Sequence, residues 1–281
     1  RDYWPDIFVR AFPHIFQCIS GILLTPMKWE ATKIMQQAYA ITGVTDYAVL
    51  WGCTYAGRKP QARDRAFFIG CEQIEDIETL KCNIPIEWEK QGVNSTTWNI
   101  CFISSLRSQG MDLETCISSV INLSKKYPNI RLIIAGDGDS KEKFEKLASN
   151  SKNIIFLGWQ DDKGMNTLMS ISKCGLYCLQ NTEDFINTFS NKAIQYLSAG
   201  LPIINSLNGF AKTLLSDTGA GLSYKEGNVD DCMRQIEKLY LNEEKRAEMA
   251  VNAKKLFNTK FDANIINKQM EAYFYAIVEK L

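Results

Sequence analysis

The chain has 281 residues, 46% of them apolar, which is enough for one or two sizeable hydrophobic cores. Lysine plus arginine and aspartate plus glutamate number 32 each, so no net field draws the chain to nucleic acid. A single histidine excludes an HExxH zinc site and argues against a histidine-centred triad. Nine cysteines (18, 53, 71, 82, 101, 116, 174, 178, 232), odd in number and without CxxC spacing, read as reduced core thiols of a cytosolic protein.

Taken in order, the chain opens at Arg1, in what reads as the interior of an element, so an upstream part is expected. The aromatic RDYWPD leads into an apolar segment from Ile7 to Leu24. Arg10, Pro13, His14 and Gln17 interrupt it, and it reads as a core helix or as a surface that touches a membrane. Helical spacing follows over Lys28–Tyr39 and Tyr47–Ala56, with strand-like runs at Ile41–Thr45 and Ala66–Gly70. Glu72–Glu89 is charged helix or loop, and Gly92–Thr97 is the best linker. The predicted domains are therefore 1–95, 96–261, and a final helix, 262–281.

From residue 98 the alternation is regular. Strands are predicted at Asn99–Ser104, Ile130–Ala135, Asn153–Leu157 and Cys174–Leu179, with helices at Leu113–Leu123, Lys141–Leu147 and Met165–Ile171 between them. This pattern implies an α/β fold, a parallel sheet covered on both faces. A further short strand at Ala220–Tyr224 and three charged amphipathic helices, near 229–240, 243–257 and 262–280, complete the chain.

The most informative stretch is 181–209, NTEDFINTFSNKAIQYLSAGLPIINSLNG. It reads as loop, helix, turn and buried strand, with Thr188 or Ser190 as N-cap, a three-turn helix to Ala199, Gly200 past its end and Pro202 blocking continuation. The preceding loop is small and polar (Asn187, Thr188, Ser190, Asn191), and Lys192 falls in the first turn. Free backbone N–H groups, a positive dipole end and a lysine together make an anion site, and the combination points to phosphate. In open parallel sheets ligands bind beyond the carboxyl ends of the strands. There the sequence offers Ser104-Ser105-Leu106-Arg107, Gly136-Asp137-Gly138-Asp139 and Gly158-Trp159. Gly136 and Gly138 allow a tight turn or a close ligand. Asp137 and Asp139 form a D-x-D that elsewhere holds a metal between sugar-nucleotide phosphates, and here reads first as a turn before a helix.

CFISSLRSQGMDLETCI, RLIIAGDGD, NIIFLGW and above all FSNKAIQYLSAGLPIINSLNG resemble the donor-binding domain of GT-B glycosyltransferases, specifically the retaining family 4 and its bacterial surface-polysaccharide members. Residues 1–95 are similar, more loosely, to the later part of the acceptor domain of such enzymes. The resemblance implies a Rossmann-like second domain, a partial Rossmann-like first domain, and a last helix that crosses back onto it. It also implies donor contacts at Ser104, Ser105, Gly136, Gly158, Trp159, Asn187, Thr188, Phe189, Ser190, Asn191 and Gln195, with Lys192 and Arg107 acting on the diphosphate. The two glutamates of the family pattern fall on Asn187 and Gln195, and its arginine and lysine fall near Ser105 and Gln109. The implied chemistry is sugar transfer from a nucleotide-diphosphate sugar to a glycan or lipid-linked acceptor in cell-surface polysaccharide assembly. The configuration would be retained, no metal or cofactor would be needed, and the protein would be cytoplasmic, in peripheral contact with the inner face of the membrane. Two other readings stand beside it: a degenerate, transferase-like subunit that binds a nucleotide or partner without turnover, and a sugar-nucleotide epimerase of the same architecture.

Overall fold

A computed structural model describes residues 3–6, 8, 21–74, 76–107 and 110–279 of the chain. Most of the segment expected as a helix from Ile7, and Gln109, lie outside these residues. The chain divides into two compact units, Arg1–Ile69 with Ile265–Leu281, and Gly70–Asn264.

The first unit holds α1 (Thr25–Gln37), β1 (Thr42–Gly43), α2 (Asp46–Tyr55), β2 (Arg65–Ala66) and most of the last helix. The two short strands pair in parallel. Thr45 caps α2 by accepting from the Ala48 N–H at 3.2 Å. Asp64, with its side chain fully buried, accepts from the Ile41 N–H at 2.8 Å and pairs with Arg58, which holds its carboxyl well below the usual carboxylate range. Among the described residues its apolar clusters are small, one of Ile41, Val49 and Cys53 and another of Phe67, Ile266 and Tyr273.

The second unit begins with α3 (Ile77–Cys82) and α4 (Ile86–Lys90) and is built on a six-stranded sheet. Its strands are β3 (Trp98–Ile103), β4 (Ile130–Ala135), β5 (Ile154–Gly158), β6 (Ser172–Tyr177), β7 (Ile203–Asn205) and β8 (Gly221–Ser223). All five pairings are parallel, in the order β5-β4-β3-β6-β7-β8. The connecting helices are α5 (Leu113–Lys126), α6 (Lys141–Ala148), α7 (Asp162–Ser170), α8 (Glu183–Ile186), α9 (Asn191–Ser198) and α10 (Phe210–Thr218). The chain ends with α11 (Val229–Leu241), α12 (Glu243–Lys260) and α13 (Ala263–Val278). Every residue of β3 is buried, as a strand covered on both faces requires. The helix α5 turns Leu113, Cys116, Ile117, Val120 and Leu123 inward at helical spacing.

The division between units falls at residue 69, earlier than the Gly92–Thr97 linker expected from composition. Two contacts explain it. The helix α3 packs on α7, and the expected linker is itself a folded turn. In that turn Asn94 Oδ1 accepts the Thr96 and Thr97 N–H groups at 3.0 Å, while the buried Asn99 amide donates to the Asn94 and Ile171 carbonyls at 2.7 and 3.0 Å. Such bonds turn a polar stretch into a fixed corner.

Strand order reverses between β3 and β6, the switch point at which doubly wound sheets open a crevice. Pairing of these strands ends at Cys101 with Gly175. Beyond it, the Ile103 N–H donates to the Tyr196 hydroxyl of α9 at 2.8 Å. The Tyr196 ring packs against Gly175, where an added Cβ would come within 2.5 Å of it. Tyr196 is fully buried, so Tyr196→Phe leaves the Ile103 amide without an acceptor. The expected cost is about 1–3 kcal/mol of stability, read as a lower urea midpoint with an unchanged slope; an unaltered midpoint contradicts the assignment.

Candidate functional site

Three loops at the carboxyl ends of the strands, with two helices, line an open cavity of about 390 Å³. Its lining comes from Ile103, Ser104 and Ser105 after β3, Ala135, Gly136 and Asp137 after β4, Trp159 to Asp162 after β5, with Met165 of α7 and Lys192 of α9.

The floor is backbone. Gly136 and Gly138 hold φ of +150° and +155°, and a Cβ on either would strike the Ser104 or Leu106 carbonyl oxygen at 1.9 and 2.3 Å. Only glycine fits there. The two loops are tied by the Leu106 N–H to the Asp137 carbonyl (2.9 Å) and by the Ser140 N–H to the Leu106 carbonyl (3.0 Å), while the Gly136 N–H donates to the Gly158 carbonyl at 2.7 Å. The glycines thus serve a close backbone crossing.

The rim is built by α9. Ser190 is its N-cap, with Oγ accepting from the Ala193 N–H at 3.3 Å, so the first-turn amides and the positive dipole end stand beside Lys192. The helix is two turns long, a turn shorter than the sequence predicts. The preceding residues form α8 instead, with the Thr188 hydroxyl donating to the Asp184 carbonyl at 3.0 Å and the Asn187 amide to the Glu183 carbonyl at 2.7 Å. At the other end, Lys254 Nζ donates to the Ser198 carbonyl at 2.7 Å, a cation at the negative pole. Lys192 is half-buried, and desolvation pulls its ammonium below the ordinary lysine range, with the charge of Asp162 partly opposing. Its Nζ lies 3.1 Å from Met165 Sδ, a weak acceptor, and has no carboxylate within 4 Å among the described residues. It is a cation with bonding capacity to spare.

Ser104, Ser105, Gly136, Trp159 and Lys192 meet in this cavity, with Gly158 one residue from its wall. The other residues expected at a donor site are placed differently. Arg107 is exposed outside the lining. The Phe189 ring is buried against Tyr177 (5.6 Å), Phe210 (6.4 Å) and Phe261 (5.5 Å), so what it can present is main chain. The Ser190 N–H donates to the Tyr177 hydroxyl at 3.2 Å. Asn191 and Gln195, one turn apart on α9, each bury a side-chain oxygen that has no hydrogen-bond partner among the described residues. Gln160, Asp161, Asp162 and Met165 line the cavity without having been singled out in the sequence. The cap pattern of Asp161, whose Oδ1 accepts from the Gly164 N–H at 2.8 Å, is the signal that would have located them. Trp159 is 74% exposed, an aromatic face open to a ligand.

The family model described as "Glycosyl transferases group 1" matches residues 83–256. The chain is 21% identical over 165 residues to the lipopolysaccharide core biosynthesis glycosyltransferase LpsE of Rhizobium meliloti, covering 58% of this chain and 46% of that protein. It is also 21% identical over 224 residues to the alpha-monoglucosyldiacylglycerol synthase of Acholeplasma laidlawii, covering 77% and 51%. The chain spans about half the length of these two relatives. Among solved structures, Anabaena HepE in complex with UDP superposes with a TM-score of 0.67 at 16% identity, over 85% of this chain and 64% of that one. Sucrose-phosphate synthase from Thermosynechococcus elongatus superposes at 0.68 and 13% identity, over 90% and 62%. The α/β fold with its parallel sheet is the one these GT-B structures share.

Because burial lowers the titration of Lys192, its pull on an anion is lost at a lower pH than for a free lysine. Inorganic pyrophosphate binding, followed by calorimetry on the alkaline side, is expected to show a Lys192-dependent weakening that sets in at lower pH than for an exposed lysine. Lys192→Met should remove that part of the profile; identical profiles for the two proteins contradict the assignment.

Proposed function

The chain belongs to the group 1 glycosyl transferases, and on that premise we propose that it moves a sugar from a nucleotide-diphosphate sugar to a glycan or lipid-linked acceptor in cell-surface polysaccharide biosynthesis. The observation that carries this reading is the half-buried Lys192 at the N-terminus of α9, facing a cavity floored by main chain. The diphosphate of the donor would lie between the α9 amides and Lys192, which bind it and take up the charge that develops on the departing β-phosphate oxygen. A helix N-terminus contributes roughly 0.3–1 kcal/mol toward an anion, and a hydrogen bond to a charged group about 1.5–3 kcal/mol. Arg107, exposed on the loop after β3 and outside the cavity lining, would add a second cation to the same group once its side chain swings inward. Trp159 would stack on the base, and Gln195, whose Oε1 is buried outside the cavity lining, would accept a ribose hydroxyl once its amide turns outward. In this reading the anomeric configuration is retained, and neither metal nor cofactor takes part. The relatives named for lipopolysaccharide core and for a glucosyl lipid support a surface glycan or lipid acceptor. The HepE structures are complexes with UDP and with UDP-glucose, which supports a uridine nucleotide sugar as donor. The acceptor would be met at the inner face of the membrane. No helix among the described residues is long and apolar enough to cross it.

One feature favours a second reading, a transferase-like subunit that holds a nucleotide or partner without turnover. Asp137, Asp161 and Asp162 line the cavity against one lysine, an acidic surplus that opposes a diphosphate. Incubation of the full-length protein with UDP-, GDP- and dTDP-sugars separates the two. Transfer or donor hydrolysis that falls about a hundredfold or more in Lys192→Met supports the enzyme. Saturable nucleotide binding without turnover supports the second reading, and no binding of any nucleotide overturns the enzyme and leaves the second reading only in its partner-binding form.

A further inference from the structure

The first unit has a cavity of its own, of about 670 Å³, formed where the turn before β2 meets α13. Arg63 and Arg65 line it, with Tyr39, Gln61, Gln269 and Tyr273. Each guanidinium lies over an aromatic ring, Arg63 at 4.5 Å from the Tyr39 centroid and Arg65 at 5.2 Å from that of Phe67. Stacking fixes the plane of a guanidinium and leaves its N–H edge free to donate. Neither arginine has a carboxylate partner among the described residues, and Arg63 Nε is buried without an acceptor. The acid between them does not neutralise them, since the buried Asp64 carboxylate is taken up by Arg58, the Ile41 N–H and the Gln61 N–H. The wall is braced from α13, where the Tyr273 hydroxyl donates to the Arg63 carbonyl at 2.6 Å. Two oriented, unpaired guanidinium forks in one cavity, beside the neutral donors of Gln61 and Gln269, are the recognition chemistry of a phosphate group. The volume exceeds what a bare phosphate fills and leaves room for a small polar body esterified to it.

We propose that this cavity is a phosphate-ester site, distinct from the Lys192 cavity, in which Arg63 and Arg65 hold the phosphate and the stacked aromatic rings hold the arginines. The same headgroup chemistry occurs in soluble glycerol phosphate and in an anionic phospholipid. The test uses the whole chain carrying Lys192→Met, so that any pull from the other cavity is removed. Glycerol 3-phosphate and inorganic phosphate are titrated by calorimetry, and vesicles of phosphatidylglycerol are compared with vesicles of phosphatidylcholine by flotation. Saturable glycerol 3-phosphate binding that weakens about tenfold to a hundredfold in Arg65→Gln, and again in Arg63→Gln, is expected. Arg65→Lys, which keeps the charge and loses the fork, should fall between wild type and Arg65→Gln and covers the case in which a glutamine variant fails to fold. Binding of the soluble ester without vesicle recruitment assigns a soluble ligand. Arginine-dependent flotation with phosphatidylglycerol alone assigns a lipid headgroup. Absence of both, or binding that the arginine substitutions leave unchanged, overturns the proposal.

Discussion

The geometry of the Lys192 cavity depends on a single buried hydrogen bond, from the Ile103 N–H to the Tyr196 hydroxyl. Pairing of β3 with β6 stops at Cys101 and Gly175, so the strands part at the point where strand order reverses. A main-chain donor left unpaired at a buried strand end is costly, and α9 supplies the missing acceptor. The absence of a side chain at Gly175 lets the ring settle against β6. Opening of the crevice and placement of α9 therefore have one cause. With Tyr196 fixed in the second turn and Lys254 on the Ser198 carbonyl at the end, the direction of the helix is set, and its amino end is brought to the crevice.

The electrostatics at that end are finely opposed. Lys192 and the α9 dipole supply positive potential; Asp137, Asp161 and Asp162 supply negative. Two of the carboxylates are partly occupied by main chain, Asp137 by the Gly138 N–H at 2.8 Å and Asp161 by the Gly164 N–H. Delocalised in this way, they oppose a bound anion less than free carboxylates would. Burial makes the ammonium of Lys192 less comfortable in the empty site than in water, and an arriving anion relieves that penalty.

Much of the second unit is legible in the sequence because its strands are buried on both faces. Runs such as WNICFI and IRLIIA have no polar face to confuse the period, and they form strands within a residue of their predicted limits. Ser190 acts as a cap, one of the two residues named for that role, while Thr188 bonds backward to the Asp184 carbonyl and closes a separate turn. Local hydroxyl bonds of this kind leave no periodic trace. Of the candidate site, the glycine turn and Lys192 could be read from residue type and spacing. The ring of Phe189 could not, since an aromatic in a polar loop looks open to ligand until the rings of Tyr177, Phe210 and Phe261 are brought around it by three distant elements. The fold of the expected linker was hidden for a similar reason: the partners of Asn94 and Asn99 make a polar stretch rigid, and composition alone marks it as loose.

A floor of peptide groups has a bearing on how such a pocket diversifies. At Gly136 and Gly138 any substituent collides with a carbonyl of the adjoining loop, so selection has nothing there to vary. Discrimination among ligands has to be inscribed on the margin, in side chains such as Ser105, Trp159 and Gln160 that project from loop positions the sheet does not constrain. Descendants of one scaffold would then keep an identical basement while exchanging preferences by a few surface replacements, at little risk to folding.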